Sequence, residues 1–393
     1  MEQACRLRAC DPDQPARLAD RIADAGPADP GSSGPGSSGP EEALHWSRLA
    51  LANDPASPFR WCDLGDLYLA LRPASHAAEY LTQARACFRR AEALAPANPI
   101  ILQRIANFHY QIGEPSEAVK RSYRILERVR QFDDIIFSSY LRFGVPQPEI
   151  LARGIPPEPD PMRSYLRFVF ARNDEAAATA AWRWTSAPSQ ISVITSPLAL
   201  SYVNLLWRQR DFAAAAEAWA GYLGTRAGDY PRPNRIFNGS FETEPDDGNP
   251  LDWRRDRVDG VEMERDSQIQ QQGEASLRIT FQGKQNLDFH HLSQTQPVPP
   301  GAYRLQAMVK IQDITTDQGV RLRILDPEAP GRLDVSTPAM TGSSDWHAIE
   351  LRVEVRPPTR VVRIEVARQP SLKFDNKIAG TLWLDAVSLT RTN

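Results

Sequence analysis

Tyr230-Pro231-Arg232-Pro233-Asn234 is the stretch at which the sequence changes its pattern. Before it, Ala, Leu, Arg and aromatic residues recur every three or four positions, which predicts helices. After it, apolar and polar residues alternate in short runs separated by Gly, Pro, Asp and Asn, which predicts strands. Examples of these runs are Ala275–Phe281 and Val361–Val366. The sequence therefore predicts a helical part followed by an all-β part.

The composition is that of an ordinary globular protein, with 24% charged and 41% hydrophobic residues among 393. A formal net charge of -3 argues against a nucleic-acid binder that works by neutralising phosphates. No window holds the roughly 20 apolar residues of a membrane-spanning helix. The N-terminus, Met1–Arg8, lacks the apolar core of a secretory signal. We therefore expect a cytoplasmic chain, or one from which a targeting segment has been removed.

Three regions are predicted along the chain. Residues 1–40 combine a weak helical pattern with a Gly-, Ser- and Pro-rich stretch, which indicates a flexible linker. Residues 41–230 form the helical part, and residues 234–393 form the all-β part. All four cysteines lie before the change of pattern. Cys62 and Cys87 fall on neighbouring predicted helices, where two buried thiols are favoured over a disulfide.

The helical part contains a repeat, because Ala84 and Ala118, and likewise Ala91 and Ile125, lie 34 residues apart. Its best-formed unit places large and small residues on a first helix and then on a second: Trp61, Leu64, Gly65, Tyr68, then Ala84, Phe88, Ala91 and Pro96. This pattern resembles the tetratricopeptide repeat. The resemblance implies an α-solenoid whose groove binds an extended peptide of a protein partner.

By the same resemblance, the first-helix residues Gln103, Asn107 and Gln111 are expected to line the peptide groove. A basic run follows on the next helix, comprising Lys120, Arg121, Arg124, Arg128 and Arg130. Such a run is typical of a solvated helix face, and the alternative is a stripe for an acidic peptide or an anionic polymer.

The short alternating runs of the all-β part predict an antiparallel β-sandwich of two sheets. Its framework runs are Asn238-Gly-Ser-Phe-Glu242, Gly273–Leu277, Tyr303–Lys310 and Trp383–Leu389. These runs resemble the jelly-roll carbohydrate-binding modules of families 4 and 9. The resemblance implies a possible structural calcium ion held by Glu242 and Asp385, since calcium prefers carboxylate oxygens. Where that family often has two consecutive acids, this chain has only Asp385.

Glycan recognition needs exposed aromatic faces and planar hydrogen-bonding groups. The framework aromatic residues Trp253, Tyr303, Trp346 and Trp383 are expected to pack inside. Less regular positions supply the glycan-binding candidates: Phe289, His290, His291, Arg368, Lys373, Phe374 and Asn376. If Phe289 and His291 face one side of a strand, then His290 faces the other. The two histidines therefore cannot chelate one metal ion together.

No catalytic motif is present in the sequence, so we do not expect an enzyme. The favoured interpretation is a non-catalytic adaptor in bacterial envelope or exopolysaccharide assembly, outside the cytoplasmic membrane. Its solenoid would bind a protein partner and its jelly-roll module a polysaccharide. The alternative is a purely protein-protein interaction scaffold whose sandwich is structural and binds no sugar.

Overall fold

The computed structural model describes residues 40–71, 76–185 and 193–392. The described chain falls into two compact units, of which one ends at Phe168 and the other begins at Val169. The predicted linker region lies outside the described residues except for Pro40. Among the described helices, none has the length and apolar character that crossing a membrane requires.

Successive helices make up the first unit. They are α1 (Pro40–Asn53), α2 (Pro58–Ala70), α3 (Ala77–Leu94), α4 (Pro99–Gln111), α5 (Pro115–Leu126), α6 (Asp133–Arg142), the single turn α7 (Gln147–Glu149) and α8 (Pro159–Phe170), which contains the unit boundary. A π-helix, Ile150–Gly154, follows α7. Ser57 and Asn98 start α2 and α4, because their side chains accept hydrogen bonds from backbone N–H groups of the first turn.

Small residues let the helices of this unit approach closely, as the repeat predicts. A Cβ atom on Gly65 would lie 2.9 Å from a ring carbon of Phe88. Phe88 in turn stacks on Phe108 with ring centroids 4.4 Å apart, which joins α3 to α4. Cys62 and Cys87 are both buried and free. The favoured prediction of two buried thiols is confirmed.

The second unit begins with the end of α8 and three further helices, α9 (Glu175–Thr185), α10 (Ser196–Arg208) and α11 (Phe212–Leu223). Trp182 on α9 stacks on Tyr202 of α10 with centroids 4.6 Å apart. Asp211 caps α11 by accepting a hydrogen bond from the Ala214 N–H group at 3.2 Å. These helices belong to the same compact unit as the strands, although the sequence changes its pattern only at residue 230.

Ten described strands form an antiparallel sandwich, which confirms the predicted fold class. One sheet has the order β1-β4-β9-β6-β7 and the other the order β2-β3-β10-β5-β8. The strands are β1 (Arg254–Arg255), β2 (Val261–Asp266), β3 (Ser276–Gln282), β4 (Phe289–Pro297), β5 (Gly301–Ile314), β6 (Arg321–Leu325), β7 (Asp334–Ser336), β8 (Gly342–Val355), β9 (Val361–Arg368) and β10 (Ala379–Arg391).

The core of the sandwich lies between the two sheets and is built mainly from one face of β3, β4, β5, β6, β8, β9 and β10. Trp253, Tyr303 and Trp383 are buried as predicted. Trp346 is only half-buried, because it lies on the edge strand β8, where half of the positions are exposed.

Two contacts attach α11 and the segment after it to the sandwich. Trp219 meets Phe237 edge to face with ring centroids 5.8 Å apart. The hydroxyl group of Tyr230 donates a hydrogen bond of 3.2 Å to the side chain of Gln296 on β4. Helix α11 and the segment that follows it therefore pack against the sandwich.

Candidate functional site

The outer face of the first sheet is polar because its strands alternate. On β4, Leu292 points into the core, whereas Ser293 and Thr295 point outward. On β9, Ile364 points inward and Arg363 outward, and Arg363 lies opposite Thr295 in the ladder. Period-two alternation thus places hydroxyl and guanidinium groups side by side on one surface.

A groove of about 660 Å³ runs over this surface, and we call it the polar groove. Its floor is formed by β1, β4 and β9, one wall by α10 and the start of α11, and another by the loop that precedes β1. The lining residues are Asn204, Trp207, Phe212, Asp247, Gly248, Asn249, Pro250, Asp252, Arg254, Asp256, His290, Ser293, Thr295, Pro327, Glu328, Val361 and Arg363.

Several polar groups of the groove have no protein partner. The Nδ2 atom of buried Asn249 and the Nε atom of Arg363 make no hydrogen bond within the described chain. Neither do the hydroxyl groups of Ser293 and Thr295 bond to any residue that the structure describes. Buried donors normally find a partner, and an unpaired one costs about 1–3 kcal/mol. The half-buried hydroxyl groups of Ser293 and Thr295 can bond to a ligand or to water in the groove, whereas the Asn249 and Arg363 atoms have almost no accessible surface.

Asp252 lies in the groove wall with a perturbed carboxyl group. Its side chain is buried and accepts hydrogen bonds from the backbone N–H groups of Asp246 and Trp253, at 3.0 and 2.7 Å. Burial raises the pKa of Asp252 to about 6 despite these bonds. The groove wall therefore contains a carboxyl group whose pKa lies well above that of an ordinary aspartate.

Trp207 and Phe212 supply the aromatic surface of the groove. Their rings meet edge to face with centroids 4.8 Å apart, and both are half-buried. Asn204 fixes this wall to the neighbouring loop, because its Nδ2 atom donates to the Gly248 carbonyl oxygen at 3.1 Å. All three residues lie in the region predicted to be solenoid. Sequence reasoning missed them because nothing local indicates which helix packs on the sheet.

The predicted glycan-binding residues separate into different places. His290 lines the polar groove, and its ring stacks on that of half-buried His291 with centroids 4.7 Å apart. Phe289 is 1% exposed and packs edge to face on Phe281, so the expectation that it faces a ligand groove is corrected. The reason is the irregular register between Phe289 and Leu292, which breaks the alternation of β4 and leaves both residues on the core side.

Arg368 is fully buried, and its predicted role in direct ligand contact is likewise corrected. Its guanidinium group donates to the carbonyl oxygens of Gln318, Leu287 and Asn376 and to the Oδ1 atom of Asn286. Arg368 therefore ties together the loops at one end of the sandwich.

Lys373 and Phe374 lie at the tip of the loop that Arg368 holds through the Asn376 carbonyl group. Phe374 and its neighbour Leu372 are fully exposed. The Lys373 ammonium group lies 3.5 Å from a carboxylate oxygen of Asp317. This loop tip is a second exposed feature, and none of its residues lines the polar groove.

Glu242 and Asp385, the predicted calcium ligands, meet at one loop. Glu242 accepts a hydrogen bond from the Glu274 N–H group, and Asp385 accepts from those of Gln271 and Gln272. Calcium takes six to eight oxygen ligands, whereas these two carboxylates already bind N–H donors. No cluster of three or more metal-ligating side chains occurs in the described part of the chain. The residues fit a calcium ion poorly, and calcium binding stays a prediction.

In the first unit, Gln103, Asn107 and Gln111 all lie on α4. The Nε2 atom of Gln103 lies 3.4 Å from the Oδ1 atom of Asn107, and the buried Oε1 atom of Gln103 has no hydrogen-bond partner among the described residues. Beside them, Arg104 pairs with two aspartates of α2. These residues do share one helix, and their contact with a peptide stays a prediction.

The predicted basic run is largely neutralised. Arg121 and Arg124 both pair with Glu92, at 3.1 and 2.6 Å, and Arg121 also pairs with Glu117. Cross-helix ion pairs thus hold α3 to α5, so these two arginines do not form a free cationic stripe.

Comparison with known proteins finds no matching family model and no matching curated protein. Among solved structures, the carbohydrate-binding module TmCBM61, in complex with β-1,4-galactotriose, is 21% identical over 40% of this chain and 99% of its own, with a TM-score of 0.29. A CBM4 module is 16% identical over 40% of this chain and 99% of its own, with a TM-score of 0.30. PilF of Pseudomonas aeruginosa is 15% identical over 54% of this chain and 74% of its own, with a TM-score of 0.25.

Proposed function

We propose that this protein is a non-catalytic adaptor that binds a glycan in the polar groove and a protein partner at its helical solenoid. The observation that carries the glycan part is the pair of half-buried hydroxyl groups, those of Ser293 and Thr295, which line the groove without a bond to any described residue. Sugars present many hydroxyl groups that donate and accept at once, which suits this pair.

The aromatic wall supports the same proposal. Trp207 offers a half-buried indole beside the polar floor, and an aromatic face covers the apolar side of a pyranose ring. Carboxylates of Asp247 and Asp256 at the rim accept hydrogen bonds from sugar hydroxyl groups. A role in envelope or exopolysaccharide assembly, outside the cytoplasmic membrane, accompanies this proposal and is tested by fractionation of cells.

The test is binding of the full-length chain to a panel of bacterial and plant polysaccharides, with calcium and with EDTA. Thr295→Val removes one hydroxyl group from the groove at nearly constant volume. We expect it to weaken binding by up to about tenfold, since one hydrogen bond contributes about 0.5–1.5 kcal/mol. Thr280→Val is the matched control, because Thr280 is a half-buried strand threonine of the other sheet.

Two results would overturn the glycan proposal. One is a folded full-length chain that binds no polysaccharide of the panel. The other is equal loss of binding in Thr295→Val and Thr280→Val. The comparison of calcium with EDTA tests the calcium prediction separately. That prediction is supported if the wild type binds differently in calcium and in EDTA and Glu242→Gln does not.

A second candidate function is favoured by the loop tip. Leu372 and Phe374 are fully exposed on a loop held by Arg368, and exposed large apolar side chains are typical of protein-docking surfaces. If no glycan binds, the sandwich becomes a protein-docking domain, and Leu372→Ser should then weaken capture of the partner.

A further inference from the structure

A second cavity of the unit that begins at Val169 has a different chemistry from the polar groove. Its volume is about 690 Å³, and we call it the proline cleft. One side is the first half of α11 and the other is formed by two proline-rich turns of the sandwich. The apolar lining residues are Phe212, Ala213, Ala216, Pro297, Val298, Pro299, Pro300, Pro357 and Pro358.

The two proline turns of the cleft offer few hydrogen-bonding groups. Five of the lining residues are prolines, which have no backbone N–H group to donate. Pro299 and Pro300 on one turn, and Pro357 and Pro358 on the other, present their rings to solvent. A sugar or other polyhydroxylated ligand would lose its hydrogen bonds to water here without replacement. The part of a ligand that lies against these rings must therefore be apolar.

Four arginines and only two acids surround this apolar surface. Arg210 and Arg360 share the carboxylate of Glu328, and Arg232 pairs with Glu217. The fourth, Arg235, makes no side-chain hydrogen bond or ion pair with any described residue. Of the two acids, Asp211 is engaged in capping α11.

We propose that the proline cleft binds an apolar organic anion, a small molecule that joins a hydrophobic body to a carboxylate. The body would lie against the proline rings and Phe212, and the carboxylate would pair with the guanidinium group of Arg235. A bidentate guanidinium–carboxylate pair is strong and directional, particularly beside an apolar surface. The volume lies within the range of about 300–1,000 Å³ that is usual for sites of small ligands.

This site is independent of the proposed glycan site. The two cavities share Phe212 as a dividing wall, but Arg235 and the prolines line only the proline cleft, and Ser293, Thr295 and Arg363 line only the polar groove. Loss of one binding activity therefore leaves the other measurable.

The experiment is calorimetric titration of the full-length chain with sodium dodecanoate below its micelle concentration. We expect saturable binding with one site per chain, weakened about tenfold in Arg235→Gln, because a charge-assisted hydrogen bond contributes about 1.5–3 kcal/mol. The matched control is Arg208→Gln, which removes an exposed arginine at the end of α10 outside the cleft. Equal affinity in Arg235→Gln and the wild type would overturn the assignment of the anion partner.

A second variant tests the cavity itself. Ala213 is exposed on α11 and lines the cleft, so Ala213→Trp should fill the space without disturbing the core and should abolish dodecanoate binding. Ala86→Trp, on an exposed position of α3, is the size-matched control. The proposal is wrong if dodecanoate does not bind the wild type, if Ala213→Trp binds as well as the wild type, or if dodecyltrimethylammonium binds as tightly as dodecanoate.

Discussion

The carboxyl group of Asp252 has a pKa that is shifted by its surroundings in the folded chain. The folded chain raises its pKa from 3.8 to about 6, with burial as the main cause. Between these two values the folded state holds a proton that the unfolded state has lost. Proton binding by Asp252 therefore adds to the free energy of unfolding at low pH, and this contribution is lost as the pH rises through about 6.

We expect Asp252→Asn to remove this pH dependence while keeping one side-chain oxygen as a hydrogen-bond acceptor. Relative to Asp252→Asn, the wild type should lose roughly 1–3 kcal/mol of unfolding free energy between pH 4 and pH 7, at about 1.4 kcal/mol per unit of pKa shift. Urea unfolding of both chains across this range measures the difference. A difference that stays constant from pH 4 to pH 7 would contradict the raised pKa.

The groove residues show where prediction from sequence ends. His290 was predicted as a ligand contact, and the structure places it in the polar groove. Asn249, Asp252 and Trp207 could not be found in the same way. Each looks like an ordinary loop or helix residue, and each becomes part of the groove only because α10 packs beside the sheet. Burial that depends on contacts between distant segments leaves no local signal.

At the scale of an element, β4 illustrates what alternation predicts and what it misses. The alternating pattern around Leu287–Leu292 predicts a strand there, whereas the structure begins β4 at Phe289 and continues it to Pro297. Gln294 and Gln296 look like solvent-facing residues, yet both are buried. Their amide groups donate to the carbonyl oxygens of Phe237 and Leu251, at 2.7 Å each. Because polar residues occupy these core positions, the hydrophobic pattern of the sequence does not show where the strand ends.

Phe289, in the core on β4, and Phe374, exposed in a loop, should differ in how much each contributes to stability. Phe289→Ala should lower the free energy of unfolding by about 3–5 kcal/mol, since it leaves a cavity in the core. Phe374→Ala should change it by less than about 0.5 kcal/mol, because the Phe374 ring is fully exposed in a loop. Chemical denaturation of the two variants makes the comparison. Similar losses in both would mean that Phe289 is not a core residue of the sandwich.

For the whole molecule, the change of pattern at residue 230 and the unit boundary before Val169 are different divisions of the chain. The first separates helices from strands, and the second separates regions that pack separately. Local pattern can reveal only the first, because α10 and α11 have ordinary helical sequences whose packing partner is distant in the chain. The contacts of Trp219 with Phe237 and of Tyr230 with Gln296 bind this helical segment to the sandwich.

This difference can be tested by cutting the chain at each division. A fragment of residues 169–393 keeps α11, Trp219 and Tyr230. A fragment of residues 234–393 lacks them, so the Oε1 atom of Gln296 loses the hydrogen bond from Tyr230 and the ring of Phe237 loses its contact with Trp219. Removing these contacts should cost roughly 3–5 kcal/mol, which corresponds to a melting temperature lower by about 10 °C for a domain of this size. Thermal unfolding followed by near-ultraviolet circular dichroism compares the two fragments. Equal melting temperatures would show that these helices contribute nothing measurable to the stability of the sandwich.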